Sequence, residues 1–353
     1  IASISVLKDA SSASIYGSRA ANGVILVTTK RAKKEQFSVS YRANAGWQEP
    51  TELMQKVSGY DHMVMINEAS SNVGLPEPFS QTYIDEYRAQ APSDEYPETN
   101  WHDEMVREKA FQQSHYLNIN SGGERISLLG SVSFMDQWGL LDSHYKRLNV
   151  RLNTDVRLMD NLRFNVDVFS KNEGNEEPPQ HWHWLARYPH NLAGKNEDGS
   201  WGVGWDGQNG WGDMEDGGTS SSVTDELLLN VKMDWQPFEG FNVNLQVAPN
   251  KSYNHYKNFD KYVPFYYPDG FIINPSPYKA SLTEQYRKAV TNNYRALLTY
   301  DKSIGKSTLG FLAGWEAIDY KNEYIRGFRD QYPLENYEVL DVGSTANQTA
   351  TGS

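Results

Sequence analysis

Five tryptophans, Trp182, Trp184, Trp201, Trp205 and Trp211, fall in one stretch rich in Gly, Asp and Asn. An indole face stacks well on the apolar face of a sugar ring, and Asp206, Asn209 and Asp213 lie among the rings to bond hydroxyls. These eight residues are the candidate ligand-binding set, and a glycan is the ligand they suit. The competing reading gives the rings to a small loop core or to an aromatic girdle at a membrane surface. His181-Trp182-His183 puts two imidazoles on one side of an extended segment, with His190 nearby. Three imidazoles could hold a metal, but no partner stands at a fixed ligand spacing, so no metal is expected. Asp206, Asn209, Asp213 and Asp216 share the composition of a calcium loop without its spacing. Gly305-Lys306-Ser307 ends like a phosphate-binding loop, yet Tyr300 stands where the earlier glycine is required, which leaves a hairpin turn. No nucleophile elbow, zinc-protease motif or Ser-His-Asp arrangement with supporting context is present. We therefore expect no catalytic residue, no cofactor and no enzymatic activity.

The elements that must carry this loop are read from composition and period. The 353 residues have mean hydropathy −0.67 with 22 Tyr and 10 Trp, so apolar mass sits in rings interspersed with polar residues. No run approaches the roughly 18 to 20 apolar residues of a membrane helix. A chain of this composition meets a bilayer only as a β-barrel, whose strands alternate. The absence of cysteine removes disulfide and thiol chemistry. A net charge of −12 argues against nucleic acid, whose phosphates need clustered Lys and Arg. The one basic run, Lys30-Arg31 with Lys33-Lys34, reads as a solvated linker.

Alternation is clean from Phe37, with Phe37, Val39, Tyr41, Ala43, Ala45 and Trp47 on one face and polar or small residues between them. Residues 147 to 158 repeat it, with Leu148, Val150, Leu152, Val156 and Leu158 against Asn149, Arg151, Asn153, Asp155 and Arg157. Further runs near 114–121, 125–135, 162–170, 226–236, 241–249, 291–301 and 307–318 bring the expectation to about nine strands. Short turns at Gly122-Gly123, Met159-Asp160-Asn161, Pro237 to Gly240 and Lys302 to Lys306 alternate with long excursions. That places short turns on one rim and long loops on the other, as in outer-membrane barrels. Arg157 and Arg163 should flank the Met159 turn on the inner face, neutralised by Asp155 or by acids upstream. Within the first excursion, Ser58 with Asp61 starts one helix and Ser80 a second around Tyr83, Ile84 and Tyr87.

Residues 1–33 read as a strand (Ile4, Val6, Leu7), a short helix capped at Asp9 and a second strand, Val24 to Thr29, after Asn22-Gly23. The wording Asp9-Ala10-Ser11, Ile15-Tyr16-Gly17-Ser18-Arg19-Ala20-Ala21-Asn22-Gly23 and Val24 to Lys30 resembles the end of the plug domain of TonB-dependent outer-membrane transporters. It is most similar to the SusC/RagA family. Siderophore and vitamin receptors of the same superfamily usually carry Gly-Pro before Leu-Tyr-Gly and Gly-Gly-Val-Ile-Asn after it, and they form a third reading, which the residues around Asp9 and Ser18 disfavour. Asn118 to Gly123, Tyr145 to Asn153 and Leu298 to Asp301 also resemble family barrel segments, while Asn100-Trp101-His102-Asp103-Glu104 departs from the family wording at Asn100 and His102. The likeness covers nearly the whole chain.

The resemblance implies an internal fragment: the C-terminal part of a plug (1–33), then the first part of an antiparallel transmembrane β-barrel (34–353), open as a fragment. Long outer loops are expected at about 48–113, 171–225, 250–290 and 319–353, and the whole barrel would have roughly 22 strands. It further implies a multi-pass protein of a Gram-negative outer membrane, surrounded by its lipid, that imports an oligosaccharide or sometimes a peptide. Its partners would be a SusD-like surface lipoprotein and the TonB–ExbB–ExbD complex. The alternative from another class is a secreted all-β carbohydrate-binding module, which would bury Leu148, Val150 and Leu152 between two packed sheets.

Overall fold

A strand with one apolar and one polar face is stable only where the two faces meet different surroundings. The computed structural model describes residues 2–9, 22–32, 36–179, 185–273, 279–333 and 336–353. Two strands, β1 (Ser3–Leu7) and β2 (Val24–Thr28), pair antiparallel. The helix expected between them lies outside the described residues. After them come β3 (Phe37–Gln48), three helices, α1 (Gly59–Asn72), α2 (Gln81–Gln90) and α3 (Trp101–Met105), and then β4 (Ala110–Gly122), β5 (Ile126–Trp138), β6 (His144–Met159) and β7 (Leu162–Glu177). A fourth helix, α4 (Gly210–Asp216), precedes β8 (Gly218–Phe238) and β9 (Phe241–Asp260); a two-residue pair, β10 (Phe265–Tyr266) and β11 (Ile272–Ile273), leads to β12 (Ser281–Ile304), β13 (Ser307–Asp330) and β14 (Gln348–Gly352).

Among the described residues, β3 to β9 and β12 to β14 form one ten-stranded sheet in chain order, every pair antiparallel and β3 and β14 at its edges. All nine expected strands are present, joined by the short turns read from the sequence. Gly240 (φ +82) makes one of those turns, where a Cβ would lie 2.2 Å from the Asp301 carbonyl oxygen. Both expected loop helices form, with Ser58 Oγ accepting from the Asp61 amide at 3.1 Å and Ser80 Oγ from that of Tyr83 at 3.2 Å.

The apolar row Leu148, Val150 and Leu152 is exposed at 42%, 43% and 38%, while Asn153 on the opposite face is 5% exposed. No second layer covers the row among the described residues, which removes the packed-sheet alternative. One hydrogen-bonded row runs Phe37, Ser121, Leu128, Thr154, Val166, Val231, Val247, Tyr294 and Ala317. Phe37 begins β3, whereas Ala317 stands ten positions beyond the start of β13, eight pairings away. With about 3.3 Å per residue and 4.8 Å between strands, that slip is a tilt of about 41°, inside the range of membrane barrels. Each residue then climbs about 2.5 Å from the short-turn rim. Phe238, Phe241 and Tyr300 cluster at that rim, and Trp47 against Phe111 stands about 25 Å above it. The two aromatic belts bracket an apolar band of the expected height.

Five loop boundaries need correction. The strands continue beyond the expected ends, to Glu177, Asp260 and Asp330 going up and from Gly218 and Ser281 coming down, and Gln348–Gly352 adds a strand inside the last excursion. Every extension lies on the long-loop rim. There the outer face meets water, so segments such as Asn250–Asp260 and Asp319–Asp330 need no apolar alternation and give no period-2 signal. Register places Arg157 opposite Arg163, as expected, but Arg157 pairs with Asp160 at 3.1 Å and Asp155 is engaged elsewhere.

The band fixes a depth-dependent cost. In the whole protein, Leu152→Lys should destabilise the barrel by about 2–4 kcal/mol, and Asn172→Lys, at the upper edge, by about 0–1 kcal/mol. Urea unfolding in detergent, followed by heat-modifiable gel mobility, measures both.

Candidate functional site

The inner face and the loops above it hold the chemistry. Between β2 and β3, Arg31 lies against the polar face of the wall instead of in solvent. Its guanidinium pairs with Asp167 through Nη1 at 2.5 Å and Nη2 at 2.8 Å, and with Asp155 at 3.1 Å. Asn165 and Asn230 donate to the same two carboxylates at 2.6 and 2.9 Å, Gln246 donates to Asn230 at 2.7 Å, and Asn153 donates to the Lys30 carbonyl at 3.2 Å. Two planar carboxylates on neighbouring strands suit the fork of an arginine, and the surrounding amides use their remaining lone pairs. The expectation of a solvated basic linker is therefore wrong for Arg31, whereas Lys30 is exposed as expected and Lys33 and Lys34 lie outside the described residues. Residues 124 and 136 positions apart make this contact, which no local pattern announces.

Higher on the same face, Lys171 pairs with Glu173 at 2.8 Å and Glu226 at 3.3 Å. Tyr145 donates to Glu173 and Asn250 to Glu226, each at 3.0 Å. The lumen wall is thus a charged, hydrogen-bonded surface suited to water and polar cargo.

Trp182 and Trp184, like His181 and His183, lie outside the described residues. The other members of the candidate set divide. Asn209 is fully buried: its Oδ1 caps α4 by accepting from the amides of Trp211 and Gly212, and its Nδ2 donates to the carbonyls of Gly194 and Gly202. Trp201 packs with Val263 and Phe265, donates to Asp216 at 2.7 Å and meets Trp211 edge to face at 5.4 Å. Lys195 covers both rings, at 4.6 and 5.9 Å. Asp213 is buried on α4, where loss of water, aided by the nearby Asp260 carboxylate, pushes its carboxyl up to about 7. These four residues build the loop. Trp205 and Asp206 are exposed at the loop surface, Asp206 in the left-handed region (φ 52), and are free to face a ligand.

Reading the sequence missed how the first and second long loops lock together. Lys56 Nζ donates to the carbonyls of Leu185 and Tyr188 at 2.5 and 2.6 Å, and burial lowers its affinity for a proton. Trp101 is buried, stacks on Tyr188 at 4.4 Å and donates to the Pro189 carbonyl. Glu98 accepts twice from the Gly59 amide and from the Tyr87 hydroxyl, and lies 3.3 Å from His190 Nδ1. Beside this junction opens a cleft of about 790 Å³ lined by Lys56, Asn100, His102, Asp103, Lys109 and His190. Burial, with Lys56 and His190 adding repulsion, holds the His102 imidazole below its ordinary value, so it is neutral near pH 7. Among the described residues no cluster of three His, Asp or Glu has the arrangement of a metal site.

No family model matches the chain. It is 30% identical over half its length to the TonB-dependent receptor SusC of Bacteroides thetaiotaomicron, covering 16% of that protein. It is 27% identical over 84% of its length to TonB-dependent receptor P26 of Formosa agariphila, and 23% identical over 99% to receptor P3 of that organism, covering 30% and 34% of them. Among solved structures, the RagAB peptide transporter superposes over 99% of this chain with a TM-score of 0.77 at 18% identity. The chain spans 42% of that structure's chain and between 16% and 34% of these curated relatives' lengths.

Removing the Arg31 fork should loosen the linker. Arg31→Ala leaves two carboxylates without their cation, a loss of about 1–3 kcal/mol, read as faster proteolysis after Thr28; adding Asp155→Asn and Asp167→Asn should restore part of the resistance. Asp213 carries a pH signature of definite sign. Its folded value exceeds its unfolded one, so protection of the α4 amides should fall as pH rises from about 4 to about 7. Hydrogen exchange corrected for intrinsic rates should show that fall, and Asp213→Asn should flatten it.

Proposed function

We propose, from its kinship with SusC-like TonB-dependent receptors, that this chain supplies the end of the plug (1–33) and the first part of the barrel (34–353) of an outer-membrane nutrient importer. The observation that carries this reading is the sheet itself: a continuous apolar outer face, a charged inner face, and Arg31 of the preceding segment seated on that inner face. In the whole receptor a plug anchored there would have to be moved before cargo passed, which is the need that an energised TonB–ExbB–ExbD complex meets. A SusD-like surface lipoprotein would meet the long loops from above.

The cargo proposed is an oligosaccharide, held at the loop surface by Trp205 and Asp206 among others, with Trp182 and Trp184 as further candidates. A peptide is the second reading. It is favoured by the commitment of Trp201, Trp211, Asn209 and Asp213 to the loop's own packing, which leaves fewer free rings for sugar faces.

The test is uptake by cells carrying the whole receptor, offered a panel of labelled oligosaccharides and peptides. Trp205→Ala with Asp206→Ala should reduce uptake of one glycan class about tenfold or more, as loss of a stacking ring and a hydrogen bond predicts, without altering barrel assembly. Unchanged glycan uptake together with saturable peptide uptake would replace the first reading by the second, and uptake of neither class would sink both.

A further inference from the structure

A groove of about 610 Å³ lies on the outward face of β8, β9, β12 and β13. Two hydrogen-bonded rows line it: Val223, His255, Tyr286 and Ile325 above, and Asp225, Tyr253, Lys288 and Glu323 below. Period 2 puts both rows on the same face as Leu227, Val247 and Tyr294 of the apolar band, so the groove opens downward onto that band. It is closed above. The segment after β13 folds back over the outer face, with Leu340 and Val342 packed on Phe259 and Leu282, and Glu338 paired to Lys257 at 2.9 Å.

The lining has the chemistry of a sugar site. Tyr286 stacks on His255 at 4.2 Å, within 5° of parallel, yet Tyr286 and Tyr253 each keep about half their surface open. Glu284 holds the stack in place, accepting from Tyr286 at 3.0 Å and lying 2.8 Å from His255 Nε2. Asp225 and Glu323 with Arg287 and Lys288 line the groove with balanced charge, Lys288 standing 3.5 Å from Glu323. Open rings beside donors and acceptors of little net charge suit hydroxyls and ring C–H faces, whereas phosphate would call for clustered cations.

Height selects the source of the sugar. At about 2.5 Å per residue, and about 3 Å per strand along a row tilted at about 41°, the groove rises from about 31 Å at Asp225 to about 45 Å at Ile325 above the level of Phe37. It therefore starts where the apolar band ends and continues for about 15 Å, roughly twice the 5–8 Å of an ordinary headgroup layer. We propose that this groove binds the saccharide headgroup of an outer-leaflet glycolipid, whose acyl chains lie down the band below. The proposal rests on the reading of the sheet as a membrane barrel.

The whole receptor, purified in mild detergent, tests it by mass-spectrometric counting of retained lipid and by rebinding of purified lipopolysaccharide and of phosphatidylethanolamine. Tyr253→Ala with Tyr286→Ala should retain at least tenfold less lipopolysaccharide and an unchanged amount of phosphatidylethanolamine, whereas Tyr286→Phe should retain lipopolysaccharide as before. Asp225→Asn with Glu323→Gln, which spares the rings and the packing, should lower retention about fivefold and covers the case in which the double alanine variant fails to assemble. Undiminished lipopolysaccharide in either double variant that assembles, or parallel loss of both lipids, would overturn the site. Nutrient uptake by these variants should be normal, so loss of this site leaves the importer reading standing. A receptor that does not fractionate with the outer membrane would overturn both.

Discussion

Nine strands of the large sheet, β3 to β9 with β12 and β13, separate two solvents, and that single constraint sets the rest. A backbone group facing hydrocarbon without a partner costs several kcal/mol, so each strand must be bonded along its length to its neighbours. The sheet meets this with nearly continuous antiparallel pairing from β3 to β13, interrupted by irregularities near Met159 and Phe238 at the short-turn rim and by a gap at Leu229 and Asn230, opposite Pro249, which has no N–H to give. With pairing obligatory, side-chain alternation fixes the register. A slip of one position would turn Arg151 and Arg157 outward and Leu152 inward. The tilt follows from the accumulated slip along the row from Phe37 to Ala317, since a closed wall of many strands requires a shear.

Above the band the constraint changes, and so does the sequence. From about Asn250 on β9 and Val290 on β12 both faces are wet, and polar cross-strand pairs take over, such as Asn254 to Ser222 at 3.0 Å and His255 to Glu284 at 2.8 Å. Such a wall would fray if its loops were loose. Instead the loops fold against one another and against the wall: α4 on the inner side around Trp201 and Phe265, the segment through Leu340 on the outer side around Phe259. Gly218 illustrates the tightness of the inner junction, because at φ +102 a Cβ would lie 2.0 Å from the Phe259 carbonyl oxygen.

This division explains what could be read in advance. Residues 147–158 announce their strand because lipid and lumen impose opposite chemistry on alternate positions, and the same holds for the lower half of each strand. Local hydrogen bonds were legible too: Ser58 and Ser80 cap helices within three residues of themselves. The upper strand halves were not legible, since water on both faces imposes no period. Nor were Arg31 with Asp155 and Asp167, or Lys56 with Leu185 and Tyr188, because their pairing is decided by the closing of the sheet across more than a hundred residues. The tryptophan loop lies between these cases. Its composition signals buried or ligand-facing rings equally well, and only packing separates Trp201 from Trp205.

The placement of Arg31 bears on how such a lumen could open. Its two carboxylates belong to the wall, not to the segment that carries the arginine, so withdrawing that segment leaves Asp155 and Asp167 unpaired on neighbouring strands. In a dry interior that separation would be prohibitive. Here the pair is about a third exposed at Arg31 and Asp155, and Asn165, Asn230 and Gln246 stand ready to solvate the carboxylates together with entering water. The latch is thus strong enough to seat the segment and wet enough to release it, a balance that a buried ion pair of the same geometry would not allow.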